Sequence, residues 1–341
     1  MQHDLLLSGK LVTKSFLLCI IKLSTAKINR AFSILQDRKL LVNTPKGKII
    51  AIGGNEDKGT YSHARSQRKY YLNFFELGIL KRFTAELGKV APRIEVITTA
   101  SMIPEEVGNI YQKAFGILNF SNIGLMHIRT FAETNLPVYL ERLKAADGIL
   151  FSGGDQSRII QAFTGTEFLR ICKERYQHEE NFVIAGTSAG AMAMSGIMIK
   201  RGSSFEALMK GTVKLGQGLD FLSNAVIDSH FVKRGRFGRL MEAVALHSRK
   251  IGIGLGEDTG VLITHGNLIE TIGSNLVIIV DGYHIKHNNV HEANRGEPLS
   301  IENLVMHVLA KGNVYDIYLR EFYKDAATRQ QHVQNILDNL S

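Results

Sequence analysis

The chain has 341 residues, 45% of them hydrophobic, which is enough to form the core of one large α/β domain or two small ones. Its formal net charge is +9 at pH 7. However, the lysines and arginines are spread widely and no nucleic-acid-binding motif accompanies them, so nucleic-acid binding is not expected. Its two cysteines, Cys19 and Cys172, exclude a disulfide-rich scaffold and a cysteine-based zinc site, and they fit a reducing compartment.

The first 45 residues contain a short apolar run that does not match a secretion signal. The run from Phe16 to Ile21 ends at Lys22, whereas a signal peptide usually has about 7–15 apolar residues and a small-residue cleavage site. We therefore expect a cytoplasmic protein with a poorly ordered extension over residues 1–45; export through an atypical signal is the alternative. No stretch of the sequence is long enough to span a membrane.

From Lys48 onwards, short apolar runs alternate with segments of helical character. The predicted strands are KIIAIGG, RIEVITTAS, NIGLMHI, GILFSGGDQ and NFVIAG. Between them, residues from about His63 to Leu87 show helical spacing, and Pro104 with two acids opens another helix. This alternation predicts parallel strands joined by right-handed crossovers, and the continuous apolar character of the strands indicates a sheet covered on both faces.

After Lys250 the pattern changes to short strands with tight turns, at Thr259-Gly260, His265-Gly266 and Asp281-Gly282. No linker separates this part from the preceding one. The sequence therefore predicts an α/β fold with a mostly parallel central sheet and short C-terminal β-hairpins. We expect a single catalytic domain over residues 46–320 and a helical tail over residues 321–341.

Four clusters of small and polar residues follow predicted strands. They are Gly53–Glu56, Gly153–Gln156, Gly186–Gly190 and Asp228–Phe231. Ligands of open parallel sheets collect beyond the carboxyl ends of the strands. These clusters are therefore expected to share one edge of the sheet and to line a site there.

Ser188 lies between Gly186 and Gly190, directly after the apolar strand NFVIA. Gly-x-Ser-x-Gly between a strand and a helix is the nucleophile-elbow pattern, in which small residues permit a strained turn that exposes the hydroxyl. The helix that follows supplies free amide hydrogens and the positive end of its dipole. The alternative is a serine that only caps the helix in a tight turn.

A nucleophilic serine needs a base and a carboxylate that orients the base. His230 ends a predicted strand at the expected edge, and Asp228, two residues earlier, would share its face of that strand. Glu257 and Asp258 follow the next strand, but their spacing does not decide which of them faces the site. The alternatives are a packed or solvent-exposed histidine and two acids that serve a turn.

An acyl-transfer site also needs hydrogen-bond donors for the developing oxyanion. The amide of Ala189, directly after the serine, is the natural first donor. An amide of Gly153 or Gly154 would supply the second, since glycine lets backbone approach closely, and we select Gly154. The alternative is an ordinary strand-to-helix turn with Asp155 as the N-cap.

Basic residues follow His230 in the stretch KRGRFGRL. Arg236 and Arg239 are three residues apart and would share a helix face. Together with Lys233 and Arg234 they form either a solvated helix face or a clamp that binds substrate carboxylates through paired hydrogen bonds.

These motifs together resemble the cyanophycinase family of serine peptidases, relatives of aspartyl dipeptidase. The matching stretches occur in family order across roughly residues 46–318 and are IIAIGGNEDK, VITTAS…PEEVGNIYQKAF, LFSGGDQSRI, IAGTSAGAMAM, DSHFVKRGRFGRL and GIGLGEDTGVLI. The resemblance implies a three-layer αβα sandwich like that of class I glutamine amidotransferases, although those enzymes have a cysteine at the position of Ser188. It also implies a homodimer, a peptide or polymer substrate, and no metal or other cofactor.

The resemblance implies roles that spacing leaves open. It makes Ser188 the nucleophile, His230 the base and Glu257, rather than Asp258, the orienting acid. The pocket residues that it implies are Gln156, Asp228, Arg234, Arg236 and Arg239, to which we add Ser229 because it adjoins the base.

Members of this family hydrolyse cyanophycin, a poly-aspartate backbone with arginine linked to each side-chain carboxylate, to β-aspartyl-arginine dipeptides. A pocket with both Asp228 and several arginines would complement the cation and the free carboxylate of each arginine unit. The family pattern more often has glutamine, an acid and alanine where this chain has Ser229, Gly256 and Gly260. Another aspartyl or β-linked peptide is therefore an alternative substrate.

Two further functions are compatible with the same residues. An α/β-hydrolase-type esterase would combine Ser188 with an acid such as Asp258 and a late histidine, which would be His284, His287 or His291. A non-enzymatic protein would keep the fold and only bind arginine-rich or aspartyl peptides.

Overall fold

A computed structural model describes residues 44–59, 78–204 and 206–338 of the chain. The predicted N-terminal extension, up to residue 43, and the first part of the helix predicted from about His63 lie outside these residues. Pro45–Ala326 forms one compact unit. In the described ranges, no helix combines the length and the apolar character that a membrane span requires.

The elements are numbered in chain order. The strands are β1 (Lys48–Ile52), β2 (Ile94–Ile97), β3 (Ile123–Met126), β4 (Gly148–Phe151), β5 (Val183–Thr187), β6 (Ile197–Arg201), β7 (Lys214–Gln217), β8 (Ala225–Asp228), β9 (Ile251–Leu255), β10 (Thr259–Thr264), β11 (Leu268–Gly273), β12 (Val277–Asp281), β13 (His287–Asn288), β14 (Ile301–Glu302), β15 (Val305–Leu309), β16 (Val314–Asp316) and β17 (Glu321–Tyr323). The helices are α1 (Gly78–Glu86), α2 (Pro104–Ile117), α3 (Phe131–Thr134), α4 (Pro137–Ala145), α5 (Gln156–Phe163), α6 (Glu167–His178), α7 (Ala189–Ala193), α8 (Phe237–Leu246) and α9 (Ala326–Asp338).

Local sequence explains where several helices begin. Pro104 occupies the first turn of α2, where its missing N–H costs nothing. The Asp155 carboxylate accepts a hydrogen bond from the amide of Ser157 at the start of α5. The Thr166 hydroxyl accepts one from the amide of Leu169 at the start of α6. These side chains satisfy amides that a helix leaves unpaired in its first turn.

The central sheet has the strand order β17–β16–β11–β10–β1–β5–β4–β2–β3. The five strands from β1 to β3 in that order are parallel to one another. Strands β10, β11, β16 and β17 extend the sheet beyond β1 with antiparallel pairing. The predicted α/β fold with a mostly parallel central sheet is confirmed, and the parallel strands form the half of the sheet that ends at β3.

Side chains alternate between the two faces of this sheet. In β1, Ile49 and Ala51 enter one core cluster, whereas Ile50 and Ile52 enter another. Helices α5, α6 and α8 contribute to the first cluster, and α1 and α2 cover the second. Complete burial of each such isoleucine contributes about 1.5–3 kcal/mol. The sheet therefore lies between two layers, which explains why its strands are apolar without alternation.

A second sheet has the strand order β15–β12–β9–β8. Its strands β8 and β9 are parallel, whereas β12 and β15 pair antiparallel. Strands β10 and β11 do form the predicted hairpin, with positive φ angles at His265 and Gly266 in the turn. However, β9 and β12 belong to the second sheet, a separation that we did not predict because a local strand pattern does not specify its partner.

Strand register brings the ends of several strands together. Ile52 of β1 is opposite Thr187 of β5, and Phe151 of β4 is opposite Gly186. In the second sheet, β8 and β9 also end side by side. The segments that follow these five strands contain the four clusters singled out in the sequence, together with Glu257.

Candidate active site

Ser188 occupies a strained turn between β5 and α7. Its backbone has φ +50° and ψ −109°, a region that residues other than glycine rarely adopt. Its amide donates to the carbonyl of Ile52 at 2.9 Å, and its carbonyl accepts from Met192 at 3.0 Å. Its side chain does not cap α7. The hydroxyl is therefore directed away from the helix that begins beside it.

The Ser188 hydroxyl meets His230, which follows β8. The distance from Ser188 Oγ to His230 Nε2 is 3.0 Å, and the distance from His230 Nδ1 to Glu257 Oε1 is 2.8 Å. Both are hydrogen-bond distances. The three side chains thus form a continuous hydroxyl–imidazole–carboxylate relay, in which a neutral imidazole donates from Nδ1 and accepts at Nε2.

The environment of His230 favours the neutral imidazole. Burial lowers its pKa, and the charges of Arg234 and Arg236 act in the same direction. The hydrogen bond and charge of Glu257 oppose this effect without reversing it, so the pKa of His230 lies below its ordinary value. A neutral imidazole at neutral pH is the form that accepts a proton from serine.

Glu257 and Asp258 are adjacent but face different partners. Glu257 accepts from His230 through Oε1 and from Lys233 Nζ through Oε2, at 2.8 Å in each case. Burial raises its pKa, but hydrogen bonds from Lys233, His230 and Asn55 outweigh burial and lower the pKa to about 2. The carboxylate against the imidazole is therefore ionised throughout the physiological range.

The side chain of Asp258 binds groups other than the imidazole. Its Oδ1 accepts from the amide of Asp57 at 3.0 Å, and its Oδ2 accepts from the Ser274 hydroxyl at 2.6 Å. Burial raises the pKa of Asp258, and the charges of Asp57 and Glu56 add to that effect. Of the two acids that spacing left equivalent, Glu257 contacts the histidine.

The imidazole of His230 lies directly over Gly54. Gly54 has φ +99°, and a β-carbon placed there would lie 2.4 Å from His230 Cε1. Only glycine combines this backbone conformation with so close an approach. The His230 amide also donates to the carbonyl of Gly53 at 2.8 Å. The Gly-Gly pair after β1 therefore forms the surface on which the imidazole rests.

The glycines after β4 lie on the other side of Ser188. A β-carbon at Gly153 would lie 3.4 Å from Ser188 Cβ. Gly154 has φ +141°, and a β-carbon there would lie 2.1 Å from the carbonyl oxygen of Ala100. Asp155 also caps α5, so the same turn both begins a helix and adjoins the serine. Ala189 is the first residue of α7; the oxyanion roles predicted for Gly154 and Ala189 stay predictions.

Asp228 is the centre of a buried ionic cluster. It is 0% exposed, and Arg239, itself 5% exposed, binds both of its carboxylate oxygens, with Nε 2.6 Å from Oδ2. Arg236 Nη1 lies 3.3 Å from Oδ1, and the amide of Ser229 donates to the same oxygen at 2.9 Å. In this arrangement Asp228 holds two arginines in place.

The Arg236 guanidinium is perturbed by this cluster. Burial, together with the charges of Arg239 and Arg234, lowers its pKa to about 10, although the charge and hydrogen bond of Asp228 act in the opposite direction. Arg234 is exposed. Of the three arginines, Arg234 and Arg236 thus lie nearest to solvent, whereas Arg239 is buried and binds Asp228 and the carbonyl of Gly202.

Two other predicted pocket residues make contacts within the protein. The side-chain amide of Gln156 donates to the carbonyls of Ile199 and Lys200, at 3.0 Å each, and so attaches α5 to β6. Ser229 is buried, and its hydroxyl contacts the sulfur of Met192 at 3.2 Å. Their roles in substrate binding stay predictions.

Residues that the sequence reasoning did not assign to the relay also contact it. The sequence places Lys233 only in a cationic cluster, yet this lysine binds Glu257. The sequence feature that indicates this contact is the position of Lys233 three residues after His230, which brings it back to the same side of the chain.

Asn55 contacts Glu257, and Glu56 contacts Thr187, next to Ser188. Both belong to a cluster identified in the sequence, but no role is predicted for them, because the local pattern does not show which distant residue a loop side chain contacts.

The late histidines that an esterase would require have other neighbours. His284 makes an edge-to-face contact with Tyr283, with 5.2 Å between the ring centroids. His287 is opposite Glu302 in the β13–β14 pair. Among the described residues, no group of three or more His, Cys, Asp or Glu side chains has the arrangement of a metal site.

Comparisons with known proteins agree on one family. A family model described as Peptidase family S51 matches residues 71–271. The cyanophycinase of Trichormus variabilis is 31% identical over 289 residues, which cover 84% of this chain and 92% of the relative. The cyanophycinase of Synechococcus elongatus is 32% identical over 272 residues, or 80% of each chain.

A solved structure shows the same fold. The crystal structure of a peptidase from an acI-B1 Actinobacterium superposes with a TM-score of 0.56 and covers 80% of this chain and 98% of its own. Its sequence identity of 18% makes this a likeness of fold.

Proposed function

The chain belongs to peptidase family S51, and we propose that it is a serine-type exopeptidase that hydrolyses cyanophycin to β-aspartyl-arginine dipeptides through an acyl-enzyme at Ser188. The observation that carries this proposal is the relay from Ser188 to His230 to Glu257, at 3.0 Å and 2.8 Å. The similarity to cyanophycinases over 84% of the chain supports the choice of substrate.

In the first half of the reaction, Ser188 Oγ attacks a backbone carbonyl of the polymer and His230 Nε2 takes the hydroxyl proton. The tetrahedral oxyanion is stabilised by the amides of Ala189 and Gly154. The C–N bond then breaks, and the imidazolium returns the proton to the leaving amine. An ester of Ser188 remains.

In the second half, water attacks that ester and His230 takes a proton from the water. The C–O bond to Ser188 breaks, and the proton passes to the serine oxygen, so that the enzyme is regenerated and a carboxylate product leaves. Throughout, Glu257 keeps the imidazole in the tautomer with hydrogen on Nδ1 and stabilises the imidazolium. The low pKa of Glu257 supports this role, since a protonated acid would lose that charge.

The basic residues beside the relay would select the substrate. We assign Arg234 and Arg236 to the free carboxylates of the substrate, because these two arginines lie nearest to solvent. Asp228 and Arg239 would position Arg236 through the buried cluster. Gln156 and Ser229 complete the proposed pocket.

Incubation with insoluble cyanophycin tests the proposal. We expect soluble β-aspartyl-arginine to appear with the wild type, and no release above background with Ser188→Ala. Mass spectrometry of the soluble fraction identifies the product. Release of free arginine, of long fragments only, or of equal amounts by Ser188→Ala would contradict the proposal.

A second substrate class is favoured by one observation. Both carboxylate oxygens of Asp228 are bound by arginines of the chain itself, so the pocket presents more cation than anion. Such a pocket also fits aspartyl or β-linked peptides without an arginine side chain. A higher kcat/KM for α-aspartyl dipeptides than for cyanophycin would favour this class.

The family resemblance further supports a cytoplasmic homodimer. Sedimentation velocity would give twice the chain mass of 37.9 kDa. Cell fractionation distinguishes the cytoplasm from export.

A further inference from the structure

The segment that follows β1, Gly53–Lys58, contacts His230 and Glu257, and the residue directly before it contacts Ser188; we call this segment the β1 loop. The carbonyl of Ile52, directly before it, accepts from the Ser188 amide at 2.9 Å, and the carbonyl of Gly53 accepts from the His230 amide at 2.8 Å. The Asn55 side chain hydrogen-bonds with Glu257. One short segment thus touches residues that arrive from three other strands.

A buried carboxylate anchors this loop. Glu56 is 0% exposed, and its Oε2 accepts from the Thr187 hydroxyl at 2.7 Å. Its Oε1 accepts from the Tyr111 hydroxyl and pairs with Lys58 Nζ at 2.9 Å. Burial would raise the pKa of Glu56, but the charge of Lys58 and these hydrogen bonds lower it. Glu56 is therefore ionised.

An ionised carboxylate at such a position is costly unless every oxygen is compensated. The proposed hydrolysis uses neither Glu56 nor the three side chains that bind it. Their point of attachment is informative, because Thr187 directly precedes Ser188, whose φ of +50° requires support from its surroundings. Glu56 also holds the loop on which the His230 ring rests, through Gly54.

We propose that Glu56 is a positioning residue. It is held by Tyr111 and Lys58 and binds the Thr187 hydroxyl, and it thereby keeps the strained serine turn and the β1 loop in fixed positions relative to each other. This inference rests on the proposed function, since it takes Ser188 as the nucleophile. Glu56 acts through Thr187 and the loop and does not touch the substrate.

The test replaces the hydroxyl that joins the two parts. Thr187→Val keeps the shape of the side chain and removes its hydrogen bond to Glu56, whereas Thr187→Ser keeps the hydroxyl. Thr271→Val is the matched control, because Thr271 is a buried threonine of the same sheet whose hydroxyl has no hydrogen-bond partner in the described part of the chain. Folding of each variant is checked by thermal unfolding.

We expect Thr187→Val to lower kcat by about 10- to 100-fold with KM within about two-fold, since misplacement of a catalytic group affects the reacting step more than binding. Thr187→Ser is expected to restore most of the rate, and Thr271→Val to match the wild type. The rate at which a fluorophosphonate labels Ser188 is expected to follow kcat. A folded Thr187→Val enzyme with wild-type kcat and labelling rate would overturn the inference.

Tyr111→Phe provides the second variant, because it removes one donor to Glu56 and leaves the buried ring in place. We expect a decrease in kcat of about three-fold or more at constant KM. If Thr187→Val does not fold, an unchanged kcat in Tyr111→Phe overturns the inference. Failure of the proposed function is distinguishable, since the wild type would then neither hydrolyse the polymer nor be labelled at Ser188.

Discussion

The two sheets contribute differently to the candidate active site. The central sheet provides Ser188, at the end of β5, and the position of this residue depends on backbone strain and on glycines that allow close packing. The second sheet provides His230 and Glu257, after β8 and β9, and their relation depends on side-chain hydrogen bonds and charge. The central sheet thus contributes a strained backbone turn to the site, and the second sheet contributes a hydrogen-bonded imidazole and carboxylate.

The charges of the two sides also differ. Behind the serine, the anion Glu56 is enclosed by Lys58, Tyr111 and Thr187. Around the histidine, the nearby cations lower the pKa of His230, while Glu257 supplies the opposing charge. The contacts on the serine side therefore maintain a backbone conformation, whereas those on the histidine side maintain a protonation state.

The sharpest test of this division is to remove one residue from each sheet. Ser188→Ala and His230→Ala are each expected to lower kcat by about 10⁴- to 10⁶-fold, and the double variant by no more than the larger single effect, because residues of one relay act as a unit. Steady-state rates on cyanophycin measure this. His284→Ala, outside the relay, is the control and is expected to retain its activity. Additive losses would show that the two sheets act independently.

The choice between the adjacent acids gives the next largest effect. Glu257→Gln is expected to lower kcat by about 10²- to 10⁴-fold, because it disturbs the imidazole tautomer and the charge that stabilises the imidazolium. Asp258→Asn, which keeps an acceptor for the Asp57 amide, is expected to lose less than about 10-fold. The ratio of the two kcat values shows which acid orients the imidazole, and equal losses would contradict the role of Glu257.

The decrease of kcat/KM at acidic pH tests the effect of the charges around His230. Because the pKa of His230 is lowered, kcat/KM is expected to rise with pH through a value below the ordinary 6.5 and to be level at neutral pH. Lys233→Met removes the cation paired with Glu257, so the carboxylate favours the imidazolium more strongly and the limb moves to higher pH. At pH 5.5 we expect a further two- to five-fold loss, about the size of an exposed ion pair.

The control for that experiment is Lys286→Met, since Lys286 is an exposed lysine that pairs with Glu302 at 3.9 Å, outside the relay. Its profile is expected to overlay that of the wild type. A Lys233→Met profile that also overlays the wild type would contradict the assigned contact.

The smallest expected effect is on stability in acid. The pKa of Glu257 is lowered from 4.5 to about 2, so the folded state binds its proton less readily than the unfolded state. The resulting stabilisation is complete above pH 4.5 and is lost as the pH falls toward 2. Glu257→Gln should therefore show a slightly shallower decrease in unfolding free energy over that range. Partial exposure keeps the difference small, and identical decreases would contradict the perturbed pKa.

Much of this molecule was predictable from local sequence. The strand–helix alternation predicted the parallel half of the central sheet, because apolar runs of four or five residues indicate strands buried on both faces. The Gly-x-Ser-x-Gly pattern predicted the strained turn at Ser188. Placement after strands predicted that Gly53, Gly153, Ser188 and His230 would share one region.

Other features required contacts between distant parts of the chain. The second sheet was not predicted, because β9 and β12 show the same local pattern as the strands that join the central sheet. Asp228 was expected to face substrate, but whether a buried acid binds a ligand or the chain's own Arg239 depends on the path of α8.

Local sequence is sufficient to indicate which segments become strands and helices and to indicate the turn at Ser188, because backbone preference and burial pattern are local properties. In contrast, the contact of Glu257 rather than Asp258 with the imidazole, and the hydrogen bond between Glu56 and Thr187, depend on how distant segments pack together. Adjacent side chains differ in direction by the path of a single turn, and that path depends on contacts with residues far away in the chain.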